Sequence, residues 1–136
     1  MGAMSELTIG GESDAEKIGN SLPSKDLGGV DLSGIDPVKL GTLHTIVLGK
    51  THDYDLEYAP SEDGPWVFKF ERDLVNALAV QTQAQQIEIA ARWLRTDEFS
   101  ADGWSLENVE ATVRTVCEQP RRASSSSGSL FLWVSL

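Results

Sequence analysis

The chain ends in the stretch Leu130-Phe-Leu-Trp-Val-Ser-Leu136, which decides the fold. These residues are too apolar for a free tail, and their β-branched and aromatic side chains favour a strand that is buried on at least one face. A second stretch of this kind, Trp66-Val-Phe-Lys-Phe70, follows turn residues at positions 63–65. We expect the two strands to pair. Because two strands alone are only marginally stable, helices must cover them.

Helix signals fill much of the chain before the last strand. Asp36 is a natural N-cap, Pro37 suits the first helical position, and Gly49 stands where a C-cap glycine is expected, which predicts a helix over residues 37–48. Apolar residues at helical spacing predict three further helices, over residues 71–78, 83–95 and 106–118. We expect Pro120 to break or kink the last of these. The predicted fold class is therefore α+β, a mostly helical single domain with a small sheet that includes the C-terminal strand.

The first 34 residues differ in composition from the rest of the chain. They are rich in Gly, Ser, Asp and Glu, their apolar residues are sparse, and glycine pairs interrupt them at positions 10–11 and 28–29. Such a composition is typical of disordered segments, which cannot bury enough apolar surface to fold. We therefore expect a flexible acidic N-terminal tail over residues 1–34 and a globular α+β domain over residues 35–136.

Charge and cysteine content narrow the classes of function. The net charge of -10 argues against nucleic acid and against an anionic membrane, since both require clustered basic residues, and it leaves a basic protein partner open. No apolar run approaches the roughly 20 residues of a membrane span. Cys117 is the single cysteine, which excludes an intrachain disulfide and fits a reducing cytoplasm. No phosphate-binding loop or hydrolase motif is present, and we expect no cofactor.

The acidic loop, residues 50–65, is the densest polar cluster in the chain, and Lys50 is its single basic residue. The calcium-loop pattern fails there, because Tyr58 replaces the turn glycine and Gly64 replaces the bidentate glutamate, so no metal site is predicted. A solvated surface loop and a binding surface for a basic partner are the two remaining interpretations. Trp104 follows a turn and is expected to be exposed as an apolar anchor for the same partner. The residues predicted to bind that partner are Asp53, Asp55, Glu57, Glu62, Asp63 and Trp104.

Three further residues could carry chemistry. His44 lies at the edge of the apolar stripe of its predicted helix, where a packed, hydrogen-bonded histidine is the plainer interpretation and a general base the alternative. His52 lies in the acidic loop. Cys117 lies near the end of its predicted helix, where the helix dipole does not favour a thiolate. We therefore predict no catalytic residue, with a small enzyme using His44 or His52 and a nearby carboxylate as the alternative.

The stretch Leu40-Gly-Thr-Leu-His-Thr-Ile-Val-Leu-Gly49 resembles a helix in small bacterial proteins of the YfbM-like type. The later Gly64-Pro-Trp strand and the C-terminal Leu-Phe-Leu-Trp strand follow in the order seen in that group. The resemblance implies a bacterial α+β protein and supplies no catalytic residues. Taken with the acidic loop, the sequence favours a non-catalytic protein-binding module, of the kind represented by acidic bacterial immunity or inhibitor proteins that bind a basic partner. A structural subunit that pairs through its C-terminal strand is a further alternative.

Overall fold

The computed structural model describes residues 4–32, 34–125 and 128–135. They form one α+β domain, in which helices pack on both faces of an antiparallel sheet. The strands are β1 (Met4–Gly10), β2 (Val30–Asp31), β3 (Trp66–Lys69) and β4 (Ser129–Ser135). The helices are α1 (Ala15–Gly19), α2 (Pro23–Asp26), α3 (Pro37–Leu48), α4 (Arg72–Ala79), α5 (Gln83–Leu94), α6 (Asp97–Asp102) and α7 (Leu106–Ser125). The predicted fold class is confirmed.

The C-terminal strand lies in the interior of the sheet. The strand order is β2-β1-β4-β3, and β4 pairs antiparallel with β1 on one side and with β3 on the other. The predicted pairing of the strand at Trp66 with the C-terminal strand is therefore confirmed. Leu130, Phe131 and Leu132 are fully buried. Because both edges of β4 are occupied, the hypothesis that this strand completes the sheet of a partner is wrong.

The predicted flexible tail over residues 1–34 is wrong for the residues described. Met4–Gly10 forms β1, which pairs along its whole length with β4, and Leu7 is completely buried. Residues 15–31 add α1, α2 and the edge strand β2. The segment has few apolar residues, but it obtains its backbone partners and its burial from a strand about 120 positions later in the chain. Local composition carries no signal of such long-range pairing.

The helices divide the core between the two faces of the sheet. On one face, α3, α4, α5 and α7 pack with Leu7, Phe68 and Leu132 into the main core. On the other face, Ala15 and Ile18 of α1 cover a smaller cluster. This smaller cluster contains Val67, Phe131 and Trp133. The alternating side chains of β3 and β4 therefore serve both cores, which explains why these strands are apolar throughout.

The start and end of α3 match the prediction. The Asp36 side chain accepts a hydrogen bond from the backbone N–H of Lys39 at 2.8 Å. Gly49 ends the helix with φ of 73°, a left-handed conformation that a glycine adopts without strain. Local caps of this kind depend on residues a few positions apart, and the sequence displays them directly.

Two helices depart from the prediction. α7 continues through Pro120 to Ser125, because tertiary contacts hold its last turns: Ala123 is buried, and the Arg121 guanidinium donates to the backbone oxygens of Ala79 and Gln81. In α5, apolar spacing predicts Ile87 on the buried face, but this residue is 51% exposed. The helix instead turns Ile89, Ala90 and Trp93 inward, and the Trp93 indole N–H donates to the backbone oxygen of Lys39 at 3.1 Å.

Candidate functional site

The acidic loop connects α3 to β3 and presents its carboxylates to solvent. The ion pairs found among the described residues join Lys39 to Asp36 and Asp102, and Lys69 to Glu12, so none of them involves the loop. A carboxylate that has no internal partner can contribute its full charge to an external one. The five predicted carboxylates, all exposed, are Asp53, Asp55, Glu57, Glu62 and Asp63.

Backbone hydrogen bonds hold the second half of the acidic loop against the sheet. The N–H groups of Glu57 and Tyr58 donate to the Val67 oxygen at 2.9 and 3.3 Å, and the Val67 N–H donates to the Tyr58 oxygen at 2.8 Å. The N–H of Gly64 donates to the Ser61 oxygen at 3.1 Å, which closes the following turn. The carboxylates are therefore mounted on a positioned segment, which reduces the entropy that a partner must remove on binding.

The ring cluster, formed by His44, His52 and Tyr54, fixes the first half of the loop to α3. The two imidazole rings stack with centroids 4.9 Å apart at an angle of 21°. The Tyr54 ring meets the His52 ring edge-on at 4.6 Å, and its hydroxyl lies 2.9 Å from Nδ1 of His44. His44 is only 2% exposed, whereas His52 is exposed. The interpretation of His44 as a packed, hydrogen-bonded residue is confirmed.

The hydrogen bonds of Tyr54 indicate which tautomer His44 adopts. Its hydroxyl oxygen accepts from the Glu71 N–H at 3.4 Å, which leaves the hydroxyl proton for Nδ1 of a neutral His44. Burial, followed by the neighbouring His52, lowers the pKa of His44, while the more distant carboxylates of Glu71 and Asp73 oppose this shift. Burial also raises the pKa of Tyr54. The pair is therefore neutral near pH 7 and acts as a structural contact.

An open groove of about 360 Å³ lies between α3 and the start of the acidic loop. We call it the α3 groove. The two walls lie close together at Gly41, where an added Cβ would lie 3.3 Å from the His52 backbone oxygen, a tight contact. Val38, on the rim, is 61% exposed. The main residues that line the α3 groove are Pro37, Val38 and Gly41 on the helix, and His52, Asp53 and Tyr54 on the loop.

Trp104 lies apart from the acidic loop. It is half-buried, its ring packs edge-on against Phe99 at 4.9 Å, and it closely approaches Gly34, whose φ is 90°. The rest of the indole lines a shallow depression beside Asp102 and Asn108. In the part of the chain that the structure describes, none of its ring contacts reaches the loop. The expected full exposure of Trp104 is thus only partly met, and a role in partner binding stays a prediction.

Cys117 is the remaining candidate for chemistry. Cys117 is buried in the main core, and burial raises the pKa of its thiol to about 11, which disfavours the thiolate. The described residues contain no group of three or more His, Cys, Asp or Glu side chains that could hold a metal ion.

No helix in residues 4–32, 34–125 and 128–135 is both long enough and apolar enough to cross a membrane.

Three residues of the site are absent from the sequence prediction. Tyr54 contacts His44, and Val38 lines the groove, only because the loop folds back over α3. Gly41 leaves room for the loop at the point where the two segments come close. A usable signal was Tyr54, an aromatic residue two positions after His52 in a loop rich in carboxylates. An aromatic ring in a polar loop indicates a contact with the core.

No protein-family model, curated protein or solved structure matches this chain. The resemblance to YfbM-like proteins therefore stays a prediction.

Proposed function

We propose that this protein is a non-catalytic binding module whose acidic loop binds a basic protein partner. The observation that carries the proposal is the set of exposed carboxylates, unpaired among the described residues, on a loop held by Tyr54 in its first half and by Tyr58 at its middle. A surface loop that only served solubility would need no such anchoring. The positioned charges instead suit a partner with a matching basic surface.

Charge complementarity would act mainly on the rate and selectivity of association. The net charge of -10 attracts a basic partner over several ångströms, and the loop then gives the attraction a defined orientation. An acidic immunity or inhibitor protein of the bacterial cytoplasm would use this physics to neutralise a basic toxin. The buried single cysteine is compatible with such a reducing compartment.

The proposal is tested with two variants of equal net charge. In the loop variant, the five carboxylates become amides by Asp→Asn and Glu→Gln substitution. In the control variant, five exposed carboxylates elsewhere become amides. The control residues are Glu16, Glu88, Asp97, Glu107 and Glu118.

The probe is an acetylated hexa-arginine amide, measured by calorimetry at low and physiological salt. We expect the loop variant to lose about tenfold or more in affinity, and the control variant only a few-fold, because surface charges beyond the Debye length are screened. Equal losses in both variants would mean that the loop is no site and that only net charge matters. If the loop variant alone loses affinity, a basic protein that the wild type captures from the native host and the loop variant does not would identify the partner.

A small enzyme is the second candidate, because His52 and Asp53 line the same groove. His44 is less suitable as a base, since it is buried and its Nδ1 already faces the Tyr54 hydroxyl. The substitution His52→Ala would abolish turnover of a substrate in this alternative. In the binding module it would leave affinity for a hexa-lysine amide, a probe for the carboxylates alone, within a few-fold of wild type.

A further inference from the structure

The α3 groove has two walls of different chemistry. The helix wall is formed by Val38, Gly41, Thr42 and Thr45. The Thr45 hydroxyl donates to the Gly41 backbone oxygen at 3.2 Å, and the Thr42 hydroxyl lies 3.1 Å from both the Val38 backbone oxygen and Oε1 of Glu98, so both hydroxyls have acceptors within the protein. The loop wall is formed by His52, Asp53 and Tyr54, two residues with aromatic rings and one with a carboxylate. A ligand that fits both walls has an apolar stem and a cationic, flat head.

Other classes of ligand fit the groove less well. An anion would meet the Asp53 carboxylate, and the α3 terminus offers it little, because the Asp36 side chain already accepts from the Lys39 N–H. A purely apolar ligand would leave the carboxylate and the imidazole of His52 without polar partners. The exposed Val38 on the rim suits contact with aliphatic carbons.

We propose that the α3 groove receives an arginine side chain of the basic partner. This inference rests on the proposed function and adds a specific pocket to it. The aliphatic stem lies along Val38 and Gly41, and the guanidinium stacks on the rings while it donates to Asp53. Arginine fits better than lysine, because its planar head both stacks on aromatic rings and forms paired hydrogen bonds with a carboxylate.

The test compares one substitution at two exposed valines. Val38→Lys places a cation on the rim of the groove. Val80→Lys adds the same charge at the end of α4, where the side chain is 74% exposed and does not line the groove. Because both positions are exposed, neither substitution removes core packing, and equal melting temperatures would verify this.

The probes are acetylated hexa-arginine and hexa-lysine amides. We expect the wild type to prefer hexa-arginine by about tenfold, the strength of a well-formed cation–π contact. Val38→Lys should abolish that preference, and Val80→Lys should preserve it. In amide NMR spectra, hexa-arginine should shift the signals of Gly41 and Asp53 as well as those of the acidic loop.

The outcomes separate the groove from the proposed function. If Val38→Lys and Val80→Lys weaken hexa-arginine binding equally, while amidation of the loop carboxylates still abolishes it, the groove proposal fails and the acidic loop stands. If hexa-lysine binds as tightly as hexa-arginine, the groove proposal also fails. If amidation of Asp55, Glu57, Glu62 and Asp63, with Asp53 kept, has no effect but Val38→Lys removes binding, the groove binds arginine and the proposed function of the loop fails.

Discussion

The substitution Tyr54→Phe tests whether the ring cluster holds the acidic loop on α3. It removes one hydroxyl and keeps the aromatic ring. The hydroxyl lies 2.9 Å from Nδ1 of His44 and accepts from the Glu71 N–H at 3.4 Å. The variant therefore leaves a nitrogen of a side chain that is only 2% exposed without its donor.

The expected cost follows from these contacts. A net hydrogen bond contributes about 1 kcal/mol, and a buried acceptor left without a partner costs about 1–3 kcal/mol. The bond from Glu71 is long and adds little. We expect the free energy of unfolding to fall by about 2 kcal/mol, which corresponds to roughly 6–10 °C in melting temperature for a domain of this size.

The control is Tyr58→Phe in the same loop. Its hydroxyl accepts from the Asn20 side chain at 3.2 Å in an exposed position, so water replaces the bond at little cost. Urea unfolding of both variants, monitored by circular dichroism, gives the two free energies, and hydrogen exchange reports on the loop amides. We expect Tyr54→Phe to accelerate exchange around Asp55 and Glu57 as well.

Equal stability losses in Tyr54→Phe and Tyr58→Phe would refute the reasoning. So would a destabilised Tyr54→Phe protein whose loop amides exchange at the wild-type rate, because the ring cluster would then support the core and not the loop. A lower midpoint with an unchanged denaturant slope is the signature of a simple loss of native contacts.

Three other predictions concern the fold. Deletion of residues 130–136 removes the strand between β1 and β3, and the truncated protein should show no cooperative thermal transition. The pKa of His44 is lowered in the folded protein from its ordinary 6.5, so the unfolded chain binds more protons below that pH. The free energy of unfolding should therefore be highest above about pH 6.5 and fall as the pH drops below it. The substitution His44→Asn should flatten this dependence in thermal melts recorded over the acid range. The buried thiol of Cys117, with its pKa of about 11, should react with a disulfide reagent only at the rate of unfolding, and fast reaction in the native state would contradict its burial.

The site was predictable in its charges and not in its geometry. The carboxylates of the acidic loop stand out in the sequence because few basic residues lie near them. The contact of His52 with His44 requires the chain to turn back on α3, and nothing in the spacing of the two histidines encodes that turn. The α3 groove also needs the loop to lie close to the helix at Gly41, where a Cβ would come within 3.3 Å of the His52 backbone oxygen.

The sequence by itself determined the helices with local caps, such as α3 between Asp36 and Gly49, and the apolar strand at the C-terminus. These signals act over a few residues, where side chains and backbone groups meet by spacing alone. Only the tertiary structure decided that residues 4–10 form a strand, that α7 continues through Pro120, and that Tyr54 anchors the acidic loop. Each of these depends on partners far along the chain, whose hydrogen bonds and burial outweigh the local preference.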